Sequence, residues 1–233
     1  MKKPQLFLLH FAGGSSYSFQ AMEPYLREFE CIPLELPGRG KRMKEDLLQT
    51  FDEAVDDTVA QILKVLRPGY FVIFGHSLGA IIALKAASIL ESMNRFPHHV
   101  IVSGTHAPGV KILKKRCELE DEAFKVELKE LGGTPEEVFA NEDLYAFFAP
   151  IIKADFRVSE DSEFATFPII RSPILALMGS EEEDVDKIDS WKEFSASGFE
   201  SIVMEGDHFF IYGHCKEISD LIKSCAGNIL IKS

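Results

Sequence analysis

The stretch over residues 70–79, YFVIFGHSLG, limits what this chain can fold into more than any other. Its first five residues are apolar or aromatic and rich in strand formers, the mark of a strand buried on both faces. Gly75-His76-Ser77-Leu78-Gly79 interrupts the run, and AIIALKAASILESM then opens a helical pattern with apolar residues at 81, 82, 84, 86, 87, 89 and 90. A strand, a tight turn and a helix, with serine at the apex, is the setting in which G-x-S-x-G presents a nucleophile. Without those flanks the pentapeptide is a common turn that happens to carry a serine. Gly75 and Gly79 fit a turn that brings two backbones together, and a helix N-terminus beneath Ser77 favours a developing oxyanion.

Around this stretch, strand and helix alternate. Strands are predicted over 6–10, 31–36, 100–104, 173–178 and 200–204, and helices over 17–29, 51–66, near 188–195 and over 215–225. That pace predicts the α/β class, with a mostly parallel central sheet and flanking helices. From Val110 to about Phe167 only helical patterns occur. They run over 118–131, closed by Gly132-Gly133, then from Thr134-Pro135-Glu136-Glu137 with Thr134 as N-cap and Glu137 in a capping box, then over 141–153. The expectation is one domain, 1–233, with an all-helical lid insertion at about 110–167.

Composition removes several classes of function. The formal charge is −12, from 25 basic and 37 acidic residues, which disfavours a nucleic-acid partner. No run approaches the roughly 20 apolar residues of a membrane span, and the short apolar run after Lys2-Lys3 is too brief for a signal peptide. A cytoplasmic protein with no membrane partner is expected. Cys31, Cys117, Cys215 and Cys225 form no C-x-x-C, and neither H-E-x-x-H nor a P-loop occurs, so no metal and no cofactor are expected.

A serine hydroxyl needs a base to act as a nucleophile. His10 and His76 flank the first loop and the serine turn, where they read as packing or orienting groups; His98, His99 and His106 lie around the fourth strand. His208 follows Gly206-Asp207 in the loop after the last predicted strand, which is where α/β-hydrolase chain order, Ser then acid then His, puts the base. His214 is the fallback. The acid should follow the 173–178 strand, and there five of the six residues from Glu181 to Asp186 are acidic, so the run by itself does not single one out. Oxyanion donors would be the backbone N–H groups of Leu78 and Ala12.

With these residues in place, the chain resembles the type II thioesterases, stand-alone α/β-hydrolases that accompany non-ribosomal peptide and polyketide synthases. The resemblance rests on His10-Phe11-Ala12-Gly13-Gly14, Leu36-Pro37-Gly38-Arg39-Gly40-Lys41-Arg42, the G-x-S-x-G itself, Leu131-Gly132-Gly133-Thr134-Pro135-Glu136-Glu137, Lys153-Ala154-Asp155-Phe156 and Gly206-Asp207-His208-Phe209-Phe210. It implies hydrolysis of acyl groups from the phosphopantetheine arm of carrier proteins, for which Ser77 and His208 would serve as nucleophile and base; a monomer is expected. The family's acid is an aspartate three residues after the glycine that ends the sixth strand. Glu182 stands at that position here, and a slip within the run would offer Asp184 instead. Asp155 matches a family aspartate and reads as structural. Arg39, Lys41, Arg42 and Lys44 form a basic island at the sheet end that carries Ser77, a candidate dock for an acidic carrier. The competing readings are a carboxylesterase, lipase or acyltransferase on the same triad, and a non-catalytic hydrolase-fold binding protein.

Overall fold

The computed structural model of the protein describes residues 2–109 and 115–227. Its apolar runs form β1 (Gln5–Leu9), β2 (Glu30–Leu34), β3 (Phe71–His76), β4 (His99–Ser103), β5 (Ile174–Gly179) and β6 (Phe199–Met204). They hydrogen-bond in the order β2-β1-β3-β4-β5-β6, every neighbouring pair parallel, so the sheet is parallel throughout the described residues. The flanking helices are α1 (Phe51–Val65), α2 (Leu78–Ser92) and α6 (Cys215–Ala226), the last following β6.

Strands β1, β3 and β5 are buried at every position, as strands covered by helices on both faces must be. Alternate residues feed two cores. Phe7, Leu9, Ile73 and Val102 pack with α1 and α2 on one face, while Leu6, Leu8, Phe74 and Leu177 pack with α6 on the other. The edge strands β2 and β6 are only partly buried. α1 starts with a full capping box, Thr50 and Glu53 each holding the other's backbone N–H.

Between β4 and β5 the chain forms α3 (Asp121–Leu131), α4 (Glu136–Ala140) and α5 (Glu142–Asp161), which share a third core built on Phe124, Leu128, Tyr145, Ile152 and Phe156. Residues 110–114 of the predicted insertion lie outside the described residues. Several predicted helix ends are corrected. Thr134 forms no cap: Pro135 precedes α4, with no side-chain capping bond. α5 is instead capped by the Asn141 side chain, which accepts from the N–H groups of Asp143 and Leu144, and it continues past Lys153 to Asp161. The 17–29 helix shrinks to a 3-10 turn over Gln20–Tyr25 containing Pro24, and the 188–195 helix is a 3-10 stretch over Val185–Phe194.

Candidate active site

A parallel sheet gathers the loops that follow its strands at one edge. The turn after β3 carries Ser77, the loop after β1 carries Ala12, the loop after β5 carries Glu182, and the loop after β6 carries His208. Every residue named from sequence for chemistry therefore lies at the C-terminal edge of the sheet.

Ser77 occupies φ 55°, ψ −119°, a region that a residue with a Cβ rarely adopts. The surroundings hold it there. Its N–H donates to the Ser103 carbonyl at the end of β4 (2.7 Å), and Ala80 N–H donates to its own carbonyl (2.9 Å). A Cβ on Gly75 would lie 2.1 Å from the Gly79 carbonyl oxygen, and one on Gly79 would lie 2.2 Å from that of Leu9. Only glycine allows α2 to start this close to β3 and β1, which is the packing reason for both glycines of the motif.

The loops after β5 and β6 are tied to each other. Ser180 N–H donates to Met204 O (2.7 Å) and Glu181 N–H to Gly206 O (3.0 Å). A Cβ on Gly179 would lie 2.4 Å from Asp207 O, so this glycine admits the histidine loop. Within that frame Glu182 Oε2 lies 2.8 Å from His208 Nδ1, and Oε1 accepts the Gly179 N–H at 3.0 Å. The carboxylate side chain is 8% exposed and the imidazole 16%. An ionised carboxylate only accepts, so His208 Nδ1 carries the proton and Nε2 presents a lone pair. Asp184, the alternative acid, instead pairs with Lys187 and lies 3.6 Å from His106 Nε2. His214, the fallback base, bonds Glu217 and the Glu205 carbonyl, and its partner carboxylate raises its pKa.

His76, next to Ser77, lies with its ring 5.0 Å from the His208 ring and tilted 43° to it, and bonds Ser103 Oγ at 2.9 Å. Burial holds it well below the usual imidazole value, and the neighbouring His208 adds to that. His76 thus stays neutral and joins the serine turn to the histidine loop. Phe209 makes a second bridge, 5.0 Å edge-on to Phe11 of the β1 loop and 5.1 Å from the His208 ring. The ring faces Gly133 in the α3–α4 turn, where a Cβ would lie 2.1 Å from it, so the helical segment sits directly over the histidine loop. Among the described residues the Ser77 hydroxyl has no hydrogen bond to His208, and the N–H groups of Ala12 and Leu78 donate to no acceptor. Apo hydrolases often close the first contact only when substrate arrives.

The basic island is corrected. Arg39 is 6% exposed and its guanidinium makes a two-pronged bond to Asp155, Nη1–Oδ2 at 2.5 Å and Nη2–Oδ1 at 2.7 Å. Arg42 is held by Asp57 and Glu45 and reaches the Glu35 carbonyl. Neither presents a free charge to a partner. Lys41 and Lys44 are exposed, and their ammonium groups have no ion pair among the described residues. The Arg39–Asp155 pair was missed because its members are 116 residues apart, with no local signal joining them.

Comparison with known proteins finds relatives over most of the chain. Gramicidin S biosynthesis protein GrsT of Aneurinibacillus migulanus is 33% identical over 90% of this chain and 84% of its own length. Thioesterase PikA5 of Streptomyces venezuelae is 28% identical, covering 91% of this chain and 78% of its own. The crystal structure of ClbQ from the colibactin NRPS/PKS pathway superposes with a TM-score of 0.90 at 29% identity, over the whole of both chains. The architecture is the α/β-hydrolase fold. The family model for the thioesterase domain matches residues 4–225, and the chain belongs to that family of thioester hydrolases.

Proposed function

We propose that this chain is a type II thioesterase, which releases acyl groups from the phosphopantetheine arm of carrier proteins of a non-ribosomal peptide or polyketide synthase. The observation that carries the reading is the Glu182–His208 pair at 2.8 Å, set at the sheet edge where the strained Ser77 sits. Fold alone would not specify the chemistry, because this architecture hosts many activities; the thioesterase family model and the name of PikA5 narrow it to thioesters.

In this reading His208 Nε2 removes the Ser77 proton as Oγ attacks the thioester carbonyl. The C–O bond forms and the carbonyl π pair moves to oxygen, which meets the N–H groups of Ala12 and Leu78 at the head of α2. The oxyanion collapses, the C–S bond breaks, and His208 protonates the departing thiolate. Water, deprotonated by the same His208, then hydrolyses the acyl-serine and frees the acid and Ser77. Glu182 keeps the imidazole in the required tautomer and stabilises the imidazolium. Residues 1–233 act as one domain and a monomer in the cytoplasm, with α3, α4 and α5 as the lid.

The test is purified protein assayed side by side on an acyl-carrier protein, the corresponding acyl-CoA and a p-nitrophenyl ester of the same acyl group. The carrier substrate is expected to give the highest kcat/KM. Preference for the oxygen ester would make the chain a carboxylesterase or lipase, acyl transfer to an added alcohol in place of hydrolysis would make it an acyltransferase, and no turnover on any would make it a binding protein.

The carrier dock moves to Lys41 and Lys44, the two cations of the island that remain exposed. Exposed charges act mainly on association and are screened over about 10 Å at 0.1 M salt. Lys41→Glu with Lys44→Glu is expected to raise KM for the acyl-carrier protein several-fold, less so at high salt, and to leave the p-nitrophenyl ester untouched. Equal losses on both substrates would show that the loop shapes the pocket instead.

A further inference from the structure

The loop that supplies the Ala12 N–H is built from small residues, Ala12-Gly13-Gly14-Ser15-Ser16, with little side chain of its own to anchor it. Two adjacent glycines give such a segment wide backbone freedom. Yet an oxyanion donor is useful only if it points, before reaction, at the place the oxygen will occupy.

Several of the neighbouring backbone groups are held from outside. The Gly13 N–H donates to Asp155 Oδ2 at 2.7 Å, and the Gly14 carbonyl accepts from Arg39 Nη1 at 3.1 Å. The same guanidinium is fixed by Pro37 O, to which Nε and Nη2 both donate at 3.3 Å. Ser16 N–H goes to Glu35 Oε1, while Glu35 Oε2 accepts the Lys41 N–H. His10 accepts the Leu36 N–H at Nε2, so its Nδ1–H donates to Phe11 O; burial, with the Arg39 charge nearby, lowers its pKa to about 4 and keeps it neutral. Gly13 has φ +76°, and a Cβ there would lie 2.8 Å from Ile152 Cγ1 on α5. Asp155 and Ile152 therefore press α5 onto the peptide that follows Ala12.

We propose that Arg39 and Asp155 are positioning residues for the oxyanion loop, a buried clamp that aims the Ala12 N–H. The pair joins three segments that the chain supplies separately: the β1 loop, the β2 loop and α5. A buried ion pair adds little net stability over an apolar pair of the same size, so its retention at this point is better explained by orientation than by holding the fold together. The proposal rests on the reading of Ala12 as an oxyanion donor.

Two variants test it, Asp155→Asn and the double change Arg39→Met with Asp155→Leu. The double change leaves no buried charge behind, and apolar replacements of buried ion pairs commonly keep or raise stability. Each is assayed for thermal midpoint, for kcat and KM on an acyl-pantetheine thioester, and for affinity for two inhibitors. One is an alkylboronic acid: the Ser77 oxygen bonds to boron, the serine proton passes to His208, nothing leaves, and the tetrahedral anion occupies the oxyanion position. The other is the neutral acyl-pantetheine amide, which mimics the ground state. A mis-aimed donor should lower kcat by about tenfold to a hundredfold, with boronate affinity falling in parallel and KM and amide affinity staying within about twofold. The proposal is overturned if a folded variant keeps wild-type kcat and boronate affinity, or if both inhibitors weaken equally, which would mean a collapsed pocket. Should Asp155→Asn fail to fold, the double variant decides. Wild-type protein that neither turns over the thioester nor binds the boronate would defeat the thioesterase reading itself, an outcome distinct from active wild type with unaffected variants.

Discussion

Ser77→Ala is expected to lower kcat by about a millionfold, in line with loss of the serine from a hydrolytic triad. That corresponds to about 8 kcal/mol of transition-state stabilisation, at roughly 1.4 kcal/mol per factor of ten. Residual activity over water should remain, from binding and from the N–H groups of Ala12 and Leu78. A fluorophosphonate should add once to the wild-type chain, losing fluoride, and peptide mass spectrometry should locate the adduct on Ser77. Labelling elsewhere, or turnover in Ser77→Ala near the wild-type rate, would remove Ser77 from the chemistry. A companion measurement needs no substrate. Ser77 sits at φ 55°, ψ −119°, where any Cβ is strained, so alanine keeps the strain and glycine relieves it. Ser77→Gly should unfold at a higher temperature than Ser77→Ala, reflecting about 1–3 kcal/mol of stored strain, although both are inactive. Equal midpoints would mean that the turn is not strained by its serine.

The strands were legible because burial on both faces writes itself as short continuous apolar runs, and all six were readable to within two residues at either end; β2 stops at Leu34 because Glu35 and Leu36 already turn into the loop. The alternation with helices was enough to predict a parallel sheet. Strand order was not legible, since nothing local says that β1 lies between β2 and β3. Residues 17–29 show how a true pattern can mislead. Phe19, Met22, Leu26 and Phe29 are all buried, as their helical spacing suggests, yet Pro24 lacks an N–H and the Ser18 hydroxyl takes the Ser15 N–H. The segment therefore buries its apolar residues through a 3-10 turn. Thr134 failed as a cap for a related reason: Pro135 itself precedes the helix, one residue later than the capping box requires.

Candidate residues that share a loop with a recognisable neighbour were legible in their placement, Ser77 from its flanks and His208 from its position after the last strand. Those defined by distant partners were not. Arg39 looked like a free cation because its counter-ion lies on α5, and Arg42 because Asp57 lies on α1. Charge runs in a sequence show which side chains are ionised, and only folding shows which of those charges are already spent on one another. The acid was ambiguous for the converse reason: the 181–186 run is locally uniform, and the choice depends on which carboxylate the turn after Gly179 directs toward β6.

Glu182→Gln is expected to lower kcat by at least about a hundredfold, while Asp184→Asn stays mild. Glu182 serves two donors at once, His208 Nδ1–H at 2.8 Å and Gly179 N–H at 3.0 Å, one on each oxygen. Glutamine has a single acceptor oxygen. If that oxygen takes the Gly179 N–H, the NH2 group faces His208 Nδ1, which must then accept, and the proton moves to Nε2. An imidazole protonated at Nε2 cannot take the Ser77 proton. If the amide flips instead, the tautomer survives but the NH2 group faces the Gly179 N–H, and a buried donor loses its partner. In either orientation the negative charge that stabilises the imidazolium is gone. Asp184 has no such link, being paired with Lys187 and 3.6 Å from His106, so its neutralisation should move kcat by less than about twofold. A crippled Asp184→Asn beside a mild Glu182→Gln would mean that the working enzyme shifts this loop by a register step. Mild effects in both would move the acid elsewhere.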